Sequence, residues 1–305
     1  MHSHAHEHRL VGDRRRLAVA LALIAGFMFF ELAVGIFADS LAVLADAAHM
    51  LSDAGALGLA LFAAWIAARP VSPERTFGFV RAEILAALAN GVMLVALAIW
   101  IFVAAIDRLS DPPDPLGGWI LAAGVAGIAV NLAAAAVLHG GTSLNRRAAS
   151  RHVLADLLGS VGVLVAGVVV LATGWAYADP LVSLGIGALV LASSWSVLRD
   201  SVTILLEGTP AGMDAGAIGS AMVGVPGVQE VHDLHVWTIT SGFPSLSAHV
   251  LVPEGDDCHA VRRRLEAMLG ERFGLTHTTL QVEHAVTRDR PVSIGQALRR
   301  ETPLR

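Results

Sequence analysis

The chain has 305 residues, 55% hydrophobic and only 15% charged, with a formal net charge of -5 at pH 7. A soluble domain carries about a quarter charged residues, so this composition points to a membrane protein, and the negative balance offers nothing to a nucleic acid. Cys258 is the one cysteine and all 21 basic residues are arginine, which excludes an intramolecular disulfide, a cysteine-based zinc finger and lysine-dependent chemistry such as Schiff bases and P-loops.

The chain opens with "MHSHAHEHRLVGDRRR", in which residues 2–8 hold four histidines. Dense histidine tracts bind metals, and residues 1–16 read as a loose tail of weak metal capture. The hydrophobic run that follows is long enough to span a bilayer and has no clear cleavage site, so it is not read as a signal peptide. A spanning helix needs about 20 mostly apolar residues. Six segments qualify: 17–38, 41–67, 82–107, 116–138, 152–172 and 180–198. Only "ADS" separates the first two, which predicts a tight helical hairpin, while "SDPPDP" at 110–115 and "ATGWAYADP" at 172–180 break the chain later. Arginines cluster at positions 9, 14–16, 69, 75, 81, 146, 147, 151 and 199, all on one side of a six-span topology, and Arg108 is alone on the other. The positive-inside rule then places both termini in the cytoplasm.

Beyond residue 200 the texture changes. "MDAGAIGSAMVGV" reads as a short helix, "VQEVHDLHVWTI" and "LSAHVLV" as strands, "DDCHAVRRRLEAMLGERF" as a helix capped by Asp257, and "HTTLQVEH" as a third strand. The expected fold is an all-α six-helix transmembrane domain over 17–200, followed by a small α+β domain of order α-β-β-α-β over 201–285. An arginine-rich tail covers 286–305.

"HMLSD" at 49–53 and "HVLAD" at 152–156 place the same pair of ionisable side chains inside apolar helices. Such residues are costly in a bilayer and usually functional. At i and i+4 an imidazole and a carboxylate share one helix face. Two such helices facing each other bring together His49, Asp53, His152 and Asp156, four N/O ligands suited to tetrahedral zinc. The bland alternative is a polar clamp in which each histidine pairs with its own aspartate. Asp46 lies three residues before His49 on nearly the same face, either as a partner of the ligands or as a boundary residue. Glu31, Glu83, Asn90 and Asn131 read as interhelical hydrogen-bond formers. Two other functions are weighed. An intramembrane zinc enzyme would need an open coordination position, which a closed His2Asp2 set lacks. A metal sensor without transport would need an output domain that none of the residues supplies.

From "DSLAVLADAAHMLSDAGAL" through "PERTFGFVRAEILAALAN", "LNRRAASRHVLADLLGSVGVL", "DPLVSLGIGALVL", "LLEGTP" and "VHDLHVWTITSG" to "SAHV" and "TLQVE", the chain resembles the cation diffusion facilitator family in its zinc-transporting branch. The resemblance implies a homodimeric secondary transporter that moves Zn2+ out of the cytoplasm in exchange for protons. It implies no enzyme activity and a metallochaperone-like cytoplasmic domain, in a bacterial inner membrane. In the family the transport ligands fall at His49, Asp53, His152 and Asp156. The cytoplasmic domain of relatives binds metal at positions matching His232, His249 and Glu283, with His259 a weaker match and His235 and His277 nearby. Where relatives often carry a loop histidine in "FGFHRAE", this chain has Val80, so a loop metal site of that kind is not expected.

Overall fold

The computed structural model describes Val19, residues 22–138 and residues 144–285, with backbone alone at 138 and 144–155. The tails at 1–16 and 286–305 lie outside the described residues. Contacts divide the chain into two units. One takes the chain up to Leu59 together with Ala89–Val197, and the other takes Ala60–Leu88 together with the chain from Leu198 onward.

Helix α1 covers Ala22–Phe37. It is followed by α2 (Leu41–Ala67), α3 (Ala82–Ser110), α4 (Gly117–Leu138), α5 (Leu144–Thr173) and α6 (Ala178–Leu205). Five of these are long and apolar enough to cross a membrane, which satisfies every backbone polar group within the span. The α1–α2 hairpin turns where expected. Asp39 adopts the left-handed conformation (φ 49°), which a short polar side chain tolerates. Ser40 then caps α2 by accepting the Val43 N–H at 3.3 Å. Two helices run further than their apolar cores. Helix α5 begins eight residues before the expected start at 152, where arginines and alanines are good helix formers, and α6 continues past 198 through Leu205.

In the first unit Val34, Ala42, Leu94, Ile101, Ile120, Val163 and Val190 form a buried core contributed by all six helices. Between α4 and α5 the backbones approach closely enough to need glycine. A Cβ added at Gly124 would lie 2.5 Å from the Leu164 backbone. Small residues at such contacts let helices pack where lipid offers no hydrophobic drive. Large apolar side chains such as Phe37 and Trp195 point outward, 65% and 68% exposed, as lipid-facing residues must.

In the second unit the C-terminal domain contains α7 (Ala215–Val223), β1 (Glu230–Thr240), β2 (Phe243–Val252), α8 (Cys258–Phe273) and β3 (His277–His284), the expected α-β-β-α-β order. The sheet order is β1-β2-β3, with β1 and β2 antiparallel and β2 and β3 parallel. Strand β2 starts at Phe243 rather than Leu246 because the two-residue turn through Gly242 (φ 74°) lets Thr240 pair directly with Phe243. Ala248, Val250 and Val252 alternate onto one face and bury against Ile218 and Met222 of α7 and Val261, Leu265 and Leu269 of α8. Asp214 caps α7 (2.8 Å to Gly216 N) and Asp257 caps α8 (2.9 Å to His259 N). The Ala260 backbone N–H leads in holding the Asp257 carboxyl below its ordinary range, with desolvation opposing it. At the α2–α3 loop of this unit Thr240 Oγ1 donates to the Val80 carbonyl (3.0 Å), and Arg81 reaches Glu207 at 3.2 Å.

Candidate metal centre

One turn of α2 separates His49 from Asp53, and their polar atoms stand 3.6 Å apart. Asp156 comes from α5 and puts a carboxylate oxygen 4.0 Å from the same His49 Nε2. One ligand atom from each of these three residues lies within 4.8 Å of the others. Two ligands about 2.0–2.1 Å from a tetrahedral zinc stand about 3.3–3.4 Å apart, so the His49–Asp53 pair is already near that spacing, and the wider separations must contract, by up to about an ångström or somewhat more, to close on an ion. Asp156 is buried, and the side chains of His49 and Asp53 are 21% and 24% exposed. The backbone of His152 stands one turn before Asp156 in α5; its side chain lies outside the described residues.

Around the three donors the helices supply further carboxylates. Glu31 of α1 and Asp46 of α2 are buried, and they interact with one another and with Asp156. Helix α5 comes close at Gly159, where an added Cβ would stand 2.5 Å from Asp46 Oδ1. Next to it Asn131 of α4 donates to Ser160 of α5 (3.1 Å). This concentration of buried carboxyl groups is costly unless cations or protons join it, which suits a site that holds a divalent cation. The four polar candidates meet different fates. Asn131 makes the expected interhelical bond and Glu31 faces Asp46 across α1 and α2. Glu83 instead accepts from Thr240 of β1 at 3.3 Å. Asn90 Oδ1 has no hydrogen-bond partner among the described residues.

In the C-terminal domain His232 and His249 are a register pair across β1 and β2, with ring centroids 5.4 Å apart. A register shift between His232 and His235 puts Asp233 in the left-handed conformation (φ 52°). Its carboxylate lies 3.1 Å from His235 Nε2 and 4.0 Å from His249 Nε2. Gln281 is the β3 residue opposite His249, and it donates to Glu283, which pairs with Leu251 further along. His259 is at the second position of α8 and makes no contact with the histidine pair among the described residues. His277 stacks edge-on with Phe243 (5.1 Å) and Phe77 (6.4 Å). Neither Asp233 nor Asp179 stands out in the sequence as a functional residue. Asp233 was legible only as the middle of "HDLH", because the bulge that turns it toward both histidines depends on strand pairing.

Comparison with known proteins follows the same division. The cation efflux transmembrane domain matches residues 17–206, and the cation efflux protein cytoplasmic domain matches residues 210–285. A cadmium, cobalt and zinc/H(+)-K(+) antiporter of Bacillus velezensis is 39% identical over 289 residues, covering 92% of this chain and 92% of that one. The metal cation efflux system protein CzcD of Cupriavidus metallidurans is 40% identical, covering 92% and 90%. The zinc transporter ZitB of Escherichia coli is 40% identical, covering 93% and 92%.

Proposed function

We propose that this chain, which belongs to the cation efflux family, exports Zn2+ from the cytoplasm in exchange for protons. The family is one of cation transporters rather than enzymes, and the chain is a multi-pass membrane protein. Zinc is the substrate, held between α2 and α5 by His49, Asp53, His152 and Asp156. The observation that carries this reading is the meeting of His49, Asp53 and Asp156 from two helices with ligand atoms within 4.8 Å. The relatives named for cadmium, cobalt and zinc make related divalent ions further candidate substrates, and an imidazole–carboxylate set favours zinc over harder ions.

Ligation requires neutral imidazole and ionised carboxylate, so metal and protons compete for the same atoms. Histidine ordinarily titrates near neutrality, so zinc loaded from the cytoplasm displaces protons, and protons reload the site on the far side and expel it. Both termini are then cytoplasmic, the membrane is the bacterial inner membrane, and the chain acts as a homodimer through its C-terminal domain. That domain takes a regulatory ion at His232 and His249, while Glu283 and His259, which do not meet that pair within the described residues, would bind metal only apart from it.

Purified protein in liposomes with an imposed pH gradient tests this. Zinc is expected to enter only as protons leave, with cadmium and cobalt slower, and with replacement of His232 weakening metal binding while leaving part of the flux. Proton-independent zinc movement, or none, would overturn the reading.

A further inference from the structure

The metal site sits on α2, and the start of α2 is held by side chains that no ligand role explains. We propose that Asp179, with Arg108, is a positioning residue for transport. It ties the first turn of α2 to the start of α6, and so fixes where His49 and Asp53 stand relative to α5. The proposal rests on the reading of those two residues as metal ligands.

Asp179 is the second residue of α6 and is 1% exposed. One carboxylate oxygen accepts the Leu41 N–H (2.7 Å), and the other accepts from Ser40 Oγ and from the Ala42 N–H (3.3 Å). The first N–H groups of a helix have no partner inside it. Here a carboxylate from another helix takes two of them, with the favourable sign for the positive end of the helix dipole. Arg108, in the last turn of α3, stands 3.8 Å from Asp179. It also donates through Nη1 to the Asp39 carbonyl and through Nη2 to the Asp39 carboxylate, both at 2.6 Å. The α1–α2 turn is bound to the start of α4 as well, through Leu116 N–H to the Ala38 carbonyl (3.0 Å). Three other helix ends thus converge on the turn from which α2 departs.

A helix transmits such an anchor. His49 lies nine residues beyond Ser40, about 13–14 Å along the axis, and the intervening Ala42, Val43 and Ala45 are fully buried. A shift or roll of the first turn therefore reaches His49 and Asp53 almost undiminished. Binding sites need their ligands held within about 0.5 Å and 10–20°. Serine alone at the cap would satisfy α2 but would leave it free to slide against α6; the buried carboxylate supplies the cross-link.

The test uses full-length protein carrying His232→Ala and His249→Ala, with His2, His4, His6 and His8 also replaced by alanine, so that the site between α2 and α5 is read without the two histidine clusters outside it. Cobalt(II) is the probe, since its visible bands are intense in tetrahedral and weak in octahedral coordination. Asp179→Ala is expected to insert with unchanged helical content, raise the KM for metal about 10–100-fold, the range seen when partners that orient metal ligands are lost, and weaken the tetrahedral bands per bound cobalt. Asp179→Asn, which keeps an acceptor for Leu41, should fall between and covers the case in which the alanine variant does not fold. Adding Ser40→Asp to Asp179→Ala returns a carboxylate to the cap without the link to α6, and is expected to remain impaired. Normal KM and bands in both Asp179 variants, or full recovery in the double variant, would overturn the proposal. If the parent protein's bands survive Asp53→Ala, the metal-site reading itself fails, a different result from intact bands in the Asp179 variants alone.

Discussion

Asp53→Ala is expected to abolish zinc-for-proton exchange, with a fall of more than about 100-fold in metal affinity at the transport site, because even outer partners of metal ligands are worth about 10–100-fold. Asp53 shares one turn of α2 with His49, 3.6 Å away. Removing its carboxylate leaves at most three donors for a tetrahedral ion and takes away a negative charge that offsets the dication in a low-dielectric setting. It also removes a proton acceptor, so the return half of the cycle suffers as well. The measurement is zinc uptake and internal pH in the same liposomes. A variant that kept zinc flux but lost proton coupling would place Asp53 on the proton path alone, against its assignment as a ligand.

Gly124→Val is expected to be among the most disruptive single changes away from the metal site. Its Cβ would fall 2.5 Å from both N and Cα of Leu164, and backbone cannot rotate away as a side chain can. Overpacking of a buried contact costs about 1–3 kcal/mol when side chains can give, and here α4 and α5 must separate instead. Because α5 carries Asp156 and Ser160, the separation moves one wall of the metal site. The expected outcome is a lower thermal midpoint in detergent and loss of transport in whatever protein still inserts. Gly118→Val on the same helix has open space around its Cβ and should behave as the parent. Equal stability of the two variants would contradict this packing.

The features legible in the sequence were those set by spacing along one helix or strand. The i, i+4 interval alone put His49 beside Asp53. "ADS" marked the hairpin, and the switch from long apolar runs to short alternating ones announced the C-terminal α+β domain. Features that depend on pairing between elements were not legible. Arg108 counted only as a charge on one side of the membrane, whereas in the fold it binds Asp39 and stands beside Asp179. Glu83 counted as a helix-to-helix bond former, but it sits in the first turn of α3 and meets Thr240 of a strand. His232 and His249 became neighbours through strand register, while the same register set Gln281 rather than Glu283 opposite His249.

On the proposed reading, zinc rests between α2 and α5 on two imidazoles and two carboxylates. X-ray absorption at the zinc edge is the decisive measurement, on full-length protein in which His232, His249 and the tail histidines His2, His4, His6 and His8 are replaced by alanine. Four N/O neighbours at about 2.0–2.1 Å are expected, two of them imidazoles, with one imidazole lost in His152→Ala and both in the His49→Ala, His152→Ala double variant. A two-imidazole shell that persists in the double variant would contradict it.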